Sequence, residues 1–519
     1  MKSIVPIAVA VSFLAILAPG ISKASDSQAA GCVRSLEQGK DLLDQRRLRE
    51  AQEVLRAATR TCPNMAEVFS TLGLAYDFDS QFAEAQKAYR KALALDPHNV
   101  AYRNNLAASY LRSGQPSLSV AEFRKVLEAD PGNKTANFNL GSLYLAEKQF
   151  RQAVRCFRAA EIERSQDAFS LLQLTEAYYG AGEAPAARQT AARLAQLPNL
   201  DPRIRFSLAL QLAQLGEYRK AAEQFEAIPP SDRDAAAFLN LGMVYSRLRQ
   251  PEKARQAYQE AIRLDPANPE PYLRMGLEAS AANGHDAAVD WINQAYTKAP
   301  ERPDIVSALI RELISIRNYE RARDILAAAL SRAPSEPSLL EASGDLFSAQ
   351  RREQDALEAY RKCLSVSPDR ASARLSLAAV YLSLRQTDAA KAELEKVLQM
   401  DPRNAVAKAK LGRMALEAGQ LDAALNWVEQ ALAAEPDNVS ANEDMARIKL
   451  RQGNAADALP ALERLLKLQP RNPQYHYLMG QVLVKLQRRQ DAQKEFQLSK
   501  QLGEGGDQAP ASSAGGEPR

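Results

Sequence analysis

The dipeptide Asp-Pro recurs along the chain at Asp96-Pro97, Asp130-Pro131, Asp265-Pro266 and Asp401-Pro402. The first two copies lie 34 residues apart, and the last two lie 136 apart, four times 34. A fixed period of this size constrains the fold more than any other feature. Each unit must be one supersecondary element that buries its apolar face on the next copy. With the proline set as position 32, repeats begin at Cys32, Ala66, Val100, Lys134, Ala168, Pro202, Ala235, Pro269, Pro303, Pro337, Ala371, Ala405, Val439 and Pro473. Every step is 34 residues except that from Pro202 to Ala235, which is 33.

The copy from Ala66 shows the physics. Leu72, Gly73 and Tyr76 stand at positions 7, 8 and 11, and Ala85, Tyr89 and Ala92 at positions 20, 24 and 27. Spacings of three and four put each set on one helix face. Small residues let two antiparallel helices approach, and large ones fill the space around that contact. Pro97 cannot continue the second helix and ends it. The pattern returns as Leu140-Gly141, Tyr144, Ala153, Phe157 and Ala160, and as Leu241-Gly242, Tyr245, Ala254, Tyr258, Ala261 and Pro266. It returns again as Leu411-Gly412, Ala424, Ala431 and Pro436. Position 20 is Ala in thirteen of the fourteen copies and Ser119 in the other.

This pattern resembles the tetratricopeptide repeat family over residues 32–502. The resemblance implies an all-α fold, an α-solenoid in which helix pairs wind into a right-handed superhelix with the first helices along the concave side. Arg488, Arg489, Lys494, Glu495 and Lys500 would make the last helix a polar cap. The fifth and sixth copies fit least well. Ala191 stands where a large residue belongs, Thr175 and Ala209 replace the glycine, and Pro198, Pro229 and Pro230 crowd the ends. A bend or looser joint between about residues 180 and 235 is one expectation; ordinary drift of a tolerant repeat is the other.

The amino terminus reads as an export signal over residues 1–24. Lys2 precedes an apolar run from Ile4 to Ala18, and Ser22-Lys23-Ala24 offers small residues at a cleavage site. No later segment approaches the 18 or more apolar residues of a membrane span. The localisation expected is periplasmic or secreted, with a short leader over 25–31. A rival reading takes Ala29-Ala30-Gly31-Cys32 as a lipobox and anchors the chain at Cys32. The polar Ser25-Asp26-Ser27-Gln28 before it argues against that reading. The end, residues 503–519, is rich in Gly, Ala, Ser and Pro and is expected to be a disordered tail.

Cys32 and Cys62 hold positions 1 and 31 of one repeat, which meet at the same end of an antiparallel hairpin. A disulfide there would suit an exported protein and contribute roughly 3 kcal/mol by restricting the unfolded chain. Two reduced thiols are the alternative. Cys156 and Cys363 lie six repeats apart, too far to pair in a solenoid, and Cys363 reads as a small core residue.

The three histidines, His98, His285 and His476, are dispersed, and no Cys/His/carboxylate cluster has metal-ligand spacing. No nucleophile elbow or phosphate loop is present, so no enzyme activity, cofactor or metal is expected. The charges, 67 basic against 63 acidic, are interleaved and argue against nucleic-acid partners. A binding surface for other proteins or extended peptides is what remains.

Family resemblance places position 6 of each first helix in the groove. Here that row reads Asn105, Asn139, Gln173, Ser207 and Asn240. An amide donates and accepts, so such a row can pair with peptide backbone of any sequence. The row resembles the asparagine ladder of O-linked N-acetylglucosamine transferases, without their transferase domain. Phe138, Phe169, Tyr179 and Phe206 occupy groove-side positions as candidate anchors. A plainly polar exposed row, with the aromatics packed between helices, is the competing reading. The family's clamp for a terminal carboxylate is represented only by pieces such as Asn105 and Arg203 and is not carried over. The function expected is an exported, non-enzymatic scaffold; the alternative is a lipid-anchored outer-membrane component of a pilus, secretion or polysaccharide-export assembly.

Overall fold

The computed structural model describes residues 26–504. The export signal and most of the tail lie outside them. The described residues hold twenty-eight α-helices, two short 3-10 turns and no strand. They divide into two compact units, Met1–Asp265 and Pro266–Arg519, each a stack of seven helix pairs among its described residues. First helices after the first repeat begin at Ala66, Val100, Lys134, Ala168, Pro202 and Ala235 in one unit. In the other they begin at Pro269, Pro303, Pro337, Ala371, Ala405, Val439 and Pro473. The first repeat's first helix spans Asp26–Asp44, so residues 26–31, expected as a short leader, are helical. Ala29 and Ala30 are strong helix formers. The last helix runs to Glu504, two residues past the expected boundary.

The turn between repeats has a reason beyond proline. In Asp96-Pro97-His98-Asn99 the proline stops one helix and Asn99 starts the next, its side chain accepting from the amides of Ala101 and Tyr102. Asn99 Nδ2 also donates to Asp96 Oδ2 at 2.9 Å. Asn133 does the same with Ala136 N and Asp130, and Asn404 and Asn438 cap on the third amide likewise. Position 4 then ties the turn down. Arg103, Asn137, Arg374 and Asn442 donate to the carbonyls of Pro97, Pro131, Pro368 and Pro436 at 2.7–2.9 Å. His476 lies 2.9 Å from the Pro470 carbonyl. Where position 23 is Glu, it clasps position 4: Glu122 on Arg103 at 2.9 Å and Glu495 on His476 at 2.6 Å.

The turn inside each repeat is equally regular. Position 15 takes a positive φ in all fourteen copies, from Arg46 to Gln487. Five of these residues are Gly, and nine are side-chain-bearing, among them Arg249, Arg317, Arg351 and Arg385. The left-handed conformation costs an ordinary residue about 1 kcal/mol, so these turns are held by the helices on either side.

Helix contact within a pair depends on two small positions. The thirteen alanines of position 20, from Ala51 to Ala492, are at most 2% exposed. Ser119, the exception, is fully buried and donates its hydroxyl to the Ala107 carbonyl at 2.8 Å. Opposite, the glycine of position 8 lies under the side chain of position 24. A Cβ on Gly73, Gly242 or Gly344 would stand 2.6, 2.5 or 2.4 Å from the ring of Tyr89, Tyr258 or Tyr360. These rings are buried, each contributing about 2–3 kcal/mol. In the fifth repeat the sizes are exchanged: Thr175 replaces Gly, Ala191 replaces the ring, and both are fully buried. The two departures read as weaknesses are complementary.

Successive repeats are joined by a recurring hydrogen bond. The arginine at position 25 donates to the tyrosine hydroxyl at position 11 of the next repeat, in Arg56–Tyr76, Arg124–Tyr144, Arg158–Tyr178 and Arg361–Tyr381, at 3.0–3.2 Å. Irregularity is confined to three second helices, Phe150–Ala159, Ala184–Ala195 and Tyr218–Glu226. They are 10, 12 and 9 residues long, against 14 in a typical copy such as Pro251–Leu264. Two are followed by the 3-10 turns Ile162–Arg164 and Pro230–Asp232. Cys32 and Cys62 are bonded, with Cα atoms 5.9 Å apart. Cys363 is buried and donates to the Pro337 carbonyl at 3.2 Å, and burial pushes its thiol and that of Cys156 up to about 11.

Two substitutions follow with opposite signs. Gly344→Ala gains about 1 kcal/mol of helix propensity but loses more, about 1–3 kcal/mol, by overpacking against Tyr360, so its urea midpoint by circular dichroism is expected to fall. Arg317→Gly removes a left-handed arginine and is expected to raise the midpoint, corresponding to up to about 1 kcal/mol of unfolding free energy; a fall would show that the side chain is needed there.

Candidate binding faces of the first helices

Helical spacing puts positions 2, 5, 6, 9 and 13 of each first helix on one face. In the first unit this face carries the amide row, which is not uniform. Asn105, Gln173, Ser207 and Asn240 are half-buried, whereas Asn139 has no exposed surface. Gln173 Oε1 lies 2.8 Å from the Ser142 hydroxyl, tying it to the repeat before it. Asn240 turns back on its own helix and donates to the Ala236 carbonyl at 2.8 Å. Asn139 has no partner for either its amide nitrogen or its oxygen. The neighbouring Asn104 donates to Asn133 at 3.1 Å, and its buried oxygen is also without a partner.

The four aromatics separate. Phe138 is buried with its ring 5.9 Å from Phe157, and the half-buried Phe206 lies 5.7 Å edge-on to Phe225. Both therefore bridge positions 5 and 24 inside a helix pair, because a ring at position 5 lies beside the ring already covering position 8. Phe169 is half-buried, and Tyr179 is exposed.

Sequence reasoning passes over the carboxylate of Asp77 and reads the adjacent pair Glu443-Asp444 as solvated; the structure buries both Asp77 and Asp444, which corrects the second reading. Asp77 accepts from Tyr89 (3.0 Å), Ser109 (2.7 Å) and Arg112 (2.6 Å), linking the second and third repeats. Burial raises its carboxyl above the usual range, against the pull of Arg112. In the second unit, Asp444 occupies position 6 and is wholly enclosed. Arg413 Nε pairs with its Oδ1, and Glu443, beside it, pairs with Arg447 at 2.6 Å. The Arg413–Asp444 contact is ionic, without an aligned hydrogen bond. Burial pushes the Asp444 carboxyl up to about 6, Arg413 opposing. An acid at position 6 next to Arg at position 9 of the preceding repeat was the available signal. Among the described residues no group of three or more His, Cys, Asp or Glu side chains could hold a metal ion. The chemistry this face offers is hydrogen-bonding and ionic recognition.

Asp444 has a pH signature. Its folded value of about 6 exceeds an unfolded value near 3.9, so it destabilises the fold above pH 6 and ceases to do so as pH falls towards 4. Asp444→Asn removes that dependence. Relative to the parent, the variant's unfolding free energy is expected to be about 2 kcal/mol larger (the variant more stable) at pH 7.5 than at pH 4.5. An unchanged difference across that range would show that Asp444 is ionised throughout.

Sequence profiles described as tetratricopeptide repeat match residues 70–134, 104–168 and 307–373, residues 235–268, and residues 348–414, 385–443, 415–482 and 449–501. Together they cover more than half of the chain. No curated protein matches the sequence. Among solved structures, the chain is similar to yeast Tom70, at 15% identity and a TM-score of 0.45, covering 82% of this chain and 97% of that one. It is also similar to YrrB, described as a repeat protein with an unusual peptide-binding site, at 24% identity and a TM-score of 0.33, covering 35% and 94%. A repeat protein from Parabacteroides merdae matches at 19% identity and a TM-score of 0.35, covering 45% and 93%. The profiles fall on the helix pairs just described: the chain belongs to the tetratricopeptide repeat family, whose fold is a scaffold for protein–protein interaction.

Proposed function

We propose that this chain is an exported, non-enzymatic scaffold that holds extended segments of partner proteins along the first-helix face of its third to seventh repeats. The observation that carries the reading is Asn139, a fully enclosed amide with neither atom paired. A polar group left in that state costs about 1–3 kcal/mol, and a peptide backbone brought to it supplies a donor and an acceptor together. Asn105, half-buried and also without a partner among the described residues, stands one repeat away on the same face. Binding requires side-chain motion there, since Asn139 has no exposed surface. Tyr179, exposed, is the aromatic best placed to add apolar contact.

Export rests on the amino-terminal Lys2, apolar run and Ser22-Lys23-Ala24. The Cys32–Cys62 bond favours an oxidising compartment and leaves Cys32 without a thiol for a lipid, which favours the unanchored reading. No helix of the described residues is long and apolar enough to cross a membrane.

The test is affinity capture from envelope extract with residues 25–519 as bait, beside a variant carrying Asn105→Ala, Asn139→Ala and Asn240→Ala whose circular dichroism matches the parent. Partners held by the parent and lost by the variant are expected. Partners retained by both would move binding off the amide row. A mature amino terminus of unmodified mass starting near Ser25 is expected, whereas a lipid mass on Cys32 would replace this reading with the anchored one.

A further inference from the structure

Each repeat covers one face of the repeat before it, and the contacts across that joint keep a fixed register. Position 5 meets position 2 of the next repeat, where Ser307 donates to the Ser338 carbonyl at 3.2 Å. Position 9 meets position 6, in Ser142 with Gln173 and in Arg413 with Asp444. Position 17 meets position 10, with His285 Nδ1 2.8 Å from Glu312. Position 21 meets position 14, where Gln52 donates to Asp79 and Gln86 to Ser113, at 3.0 and 2.9 Å. Among the described residues two faces have no repeat against them, the trailing face of the last repeat and the leading face of the first. The trailing face carries Tyr477, Gln481, Arg489 and Gln493 at positions 5, 9, 17 and 21. All four are exposed, and none of their side chains has a hydrogen bond or ion pair among the described residues. Tyr477 and, at position 12, Val484 are 53% and 50% exposed, the most exposed of the large apolar side chains described. At interior joints the next repeat covers these positions, leaving Leu273 at position 5 and Leu416 at position 12 buried. The leading face carries Val33, Glu37, Asp41 and Gln45 at positions 2, 6, 10 and 14, all exposed. Glu37 and Asp41 have no cation among the described residues.

We propose that the trailing face of one copy stacks on the leading face of a second copy of this chain, continuing the repeat across the join. In the register of the interior joints Tyr477 meets Val33, Gln481 meets Glu37, Arg489 meets Asp41 and Gln493 meets Gln45. Each pairing is complementary: apolar on apolar, amide N–H on carboxylate, cation on anion, amide on amide. Arg489 opens the last helix, Arg489–Glu504, where the helix dipole also favours an incoming anion. A carboxylate stripe alone would accept any cation, and an apolar patch any apolar partner. Four matches in one register select this chain's own end. One position does not match. Val484 meets Asp44 at position 13, where the interior joint pairs Asp77 with Arg112 at 2.6 Å. Desolvating that carboxylate against an apolar side chain costs free energy, so the joint between copies is weaker than an interior one. The two faces are different surfaces of the same chain, so the contact is heterologous. Each dimer keeps one free face of either kind, further copies add, and the amide row is presented again in each.

Sedimentation velocity of residues 25–519 over a concentration series reads the association. The weight-average mass is expected to rise with concentration and to fall back as salt screens the charged pairs. Two variants each block one face: Tyr477→Asp/Arg489→Glu the trailing one, and Val33→Asp/Asp41→Asn the leading one. All four side chains are exposed, and each variant's urea midpoint is checked against the parent. Each variant alone is expected to associate at least tenfold more weakly than the parent. Their equimolar mixture holds one intact face of each kind, so it is expected to recover the parent's affinity and to stop at dimers. A parent that stays monomeric at every concentration would overturn the proposal. So would either variant associating by itself as well as the parent, which would mean an isologous contact or another surface, and so would a mixture no better than its components. Association that appears only once residues 505–519 are removed would assign the trailing face to the chain's own tail and overturn it as well.

Discussion

Close approach of two antiparallel helices at positions 8 and 20 is the contact on which the rest of the structure depends. Alanine at position 20 is buried in every copy that has it, and the side chain of position 24 lies directly over position 8. Position 8 is less strict than position 20: the ninth repeat carries Ile310 there, with Leu326 at position 24, and both are buried. In the fifth repeat the larger Thr175 at position 8 faces the smaller Ala191 at position 24, so part of the volume lost at one place returns at the other.

Around that contact the polar groups mainly hold the stack together. The asparagine caps, the position-4 donors to proline carbonyls and the arginine–tyrosine bonds satisfy backbone and side-chain groups at each joint. Function is to be sought where this rule lapses. In the first unit it lapses at Asn139, whose amide is enclosed and unpaired. In the second it lapses at Lys410 and Arg451, cations without an anion among the described residues. Recognition sites commonly leave such groups for a ligand to complete, because the cost of an unpaired buried group becomes specificity for the partner that pairs it.

The repeat frame was legible because it is written in local chemistry. Proline ends helices, spacings of three and four define faces, and Ala at position 20 recurs wherever two helices touch. The Asn99-type cap and the left-handed residue at position 15 were written there too, but less openly. Nine of the fourteen turn residues are not glycine, so composition hid a uniform backbone state. The candidate site was legible only as a row of residue types. Spacing assigns Asn105, Asn139, Gln173, Ser207 and Asn240 to one face, yet it treats them as equal. The structure separates an amide bonded to its own helix, one bonded to Ser142 and one bonded to nothing. Phe138 and Phe206 changed role for a similar reason, since whether a position-5 ring is free or stacked depends on the ring at position 24.

By itself, then, the amino-acid sequence determined the period, the helix pairs and the pairing of Cys32 with Cys62 as a geometric possibility, because each depends on residues less than one repeat apart. Only the tertiary structure decided which groups on the first-helix face are satisfied. That depends on the neighbouring repeat, where Ser142 meets Gln173 and Arg413 meets Asp444. Burial and partnering are properties of the stack, and no single repeat carries them.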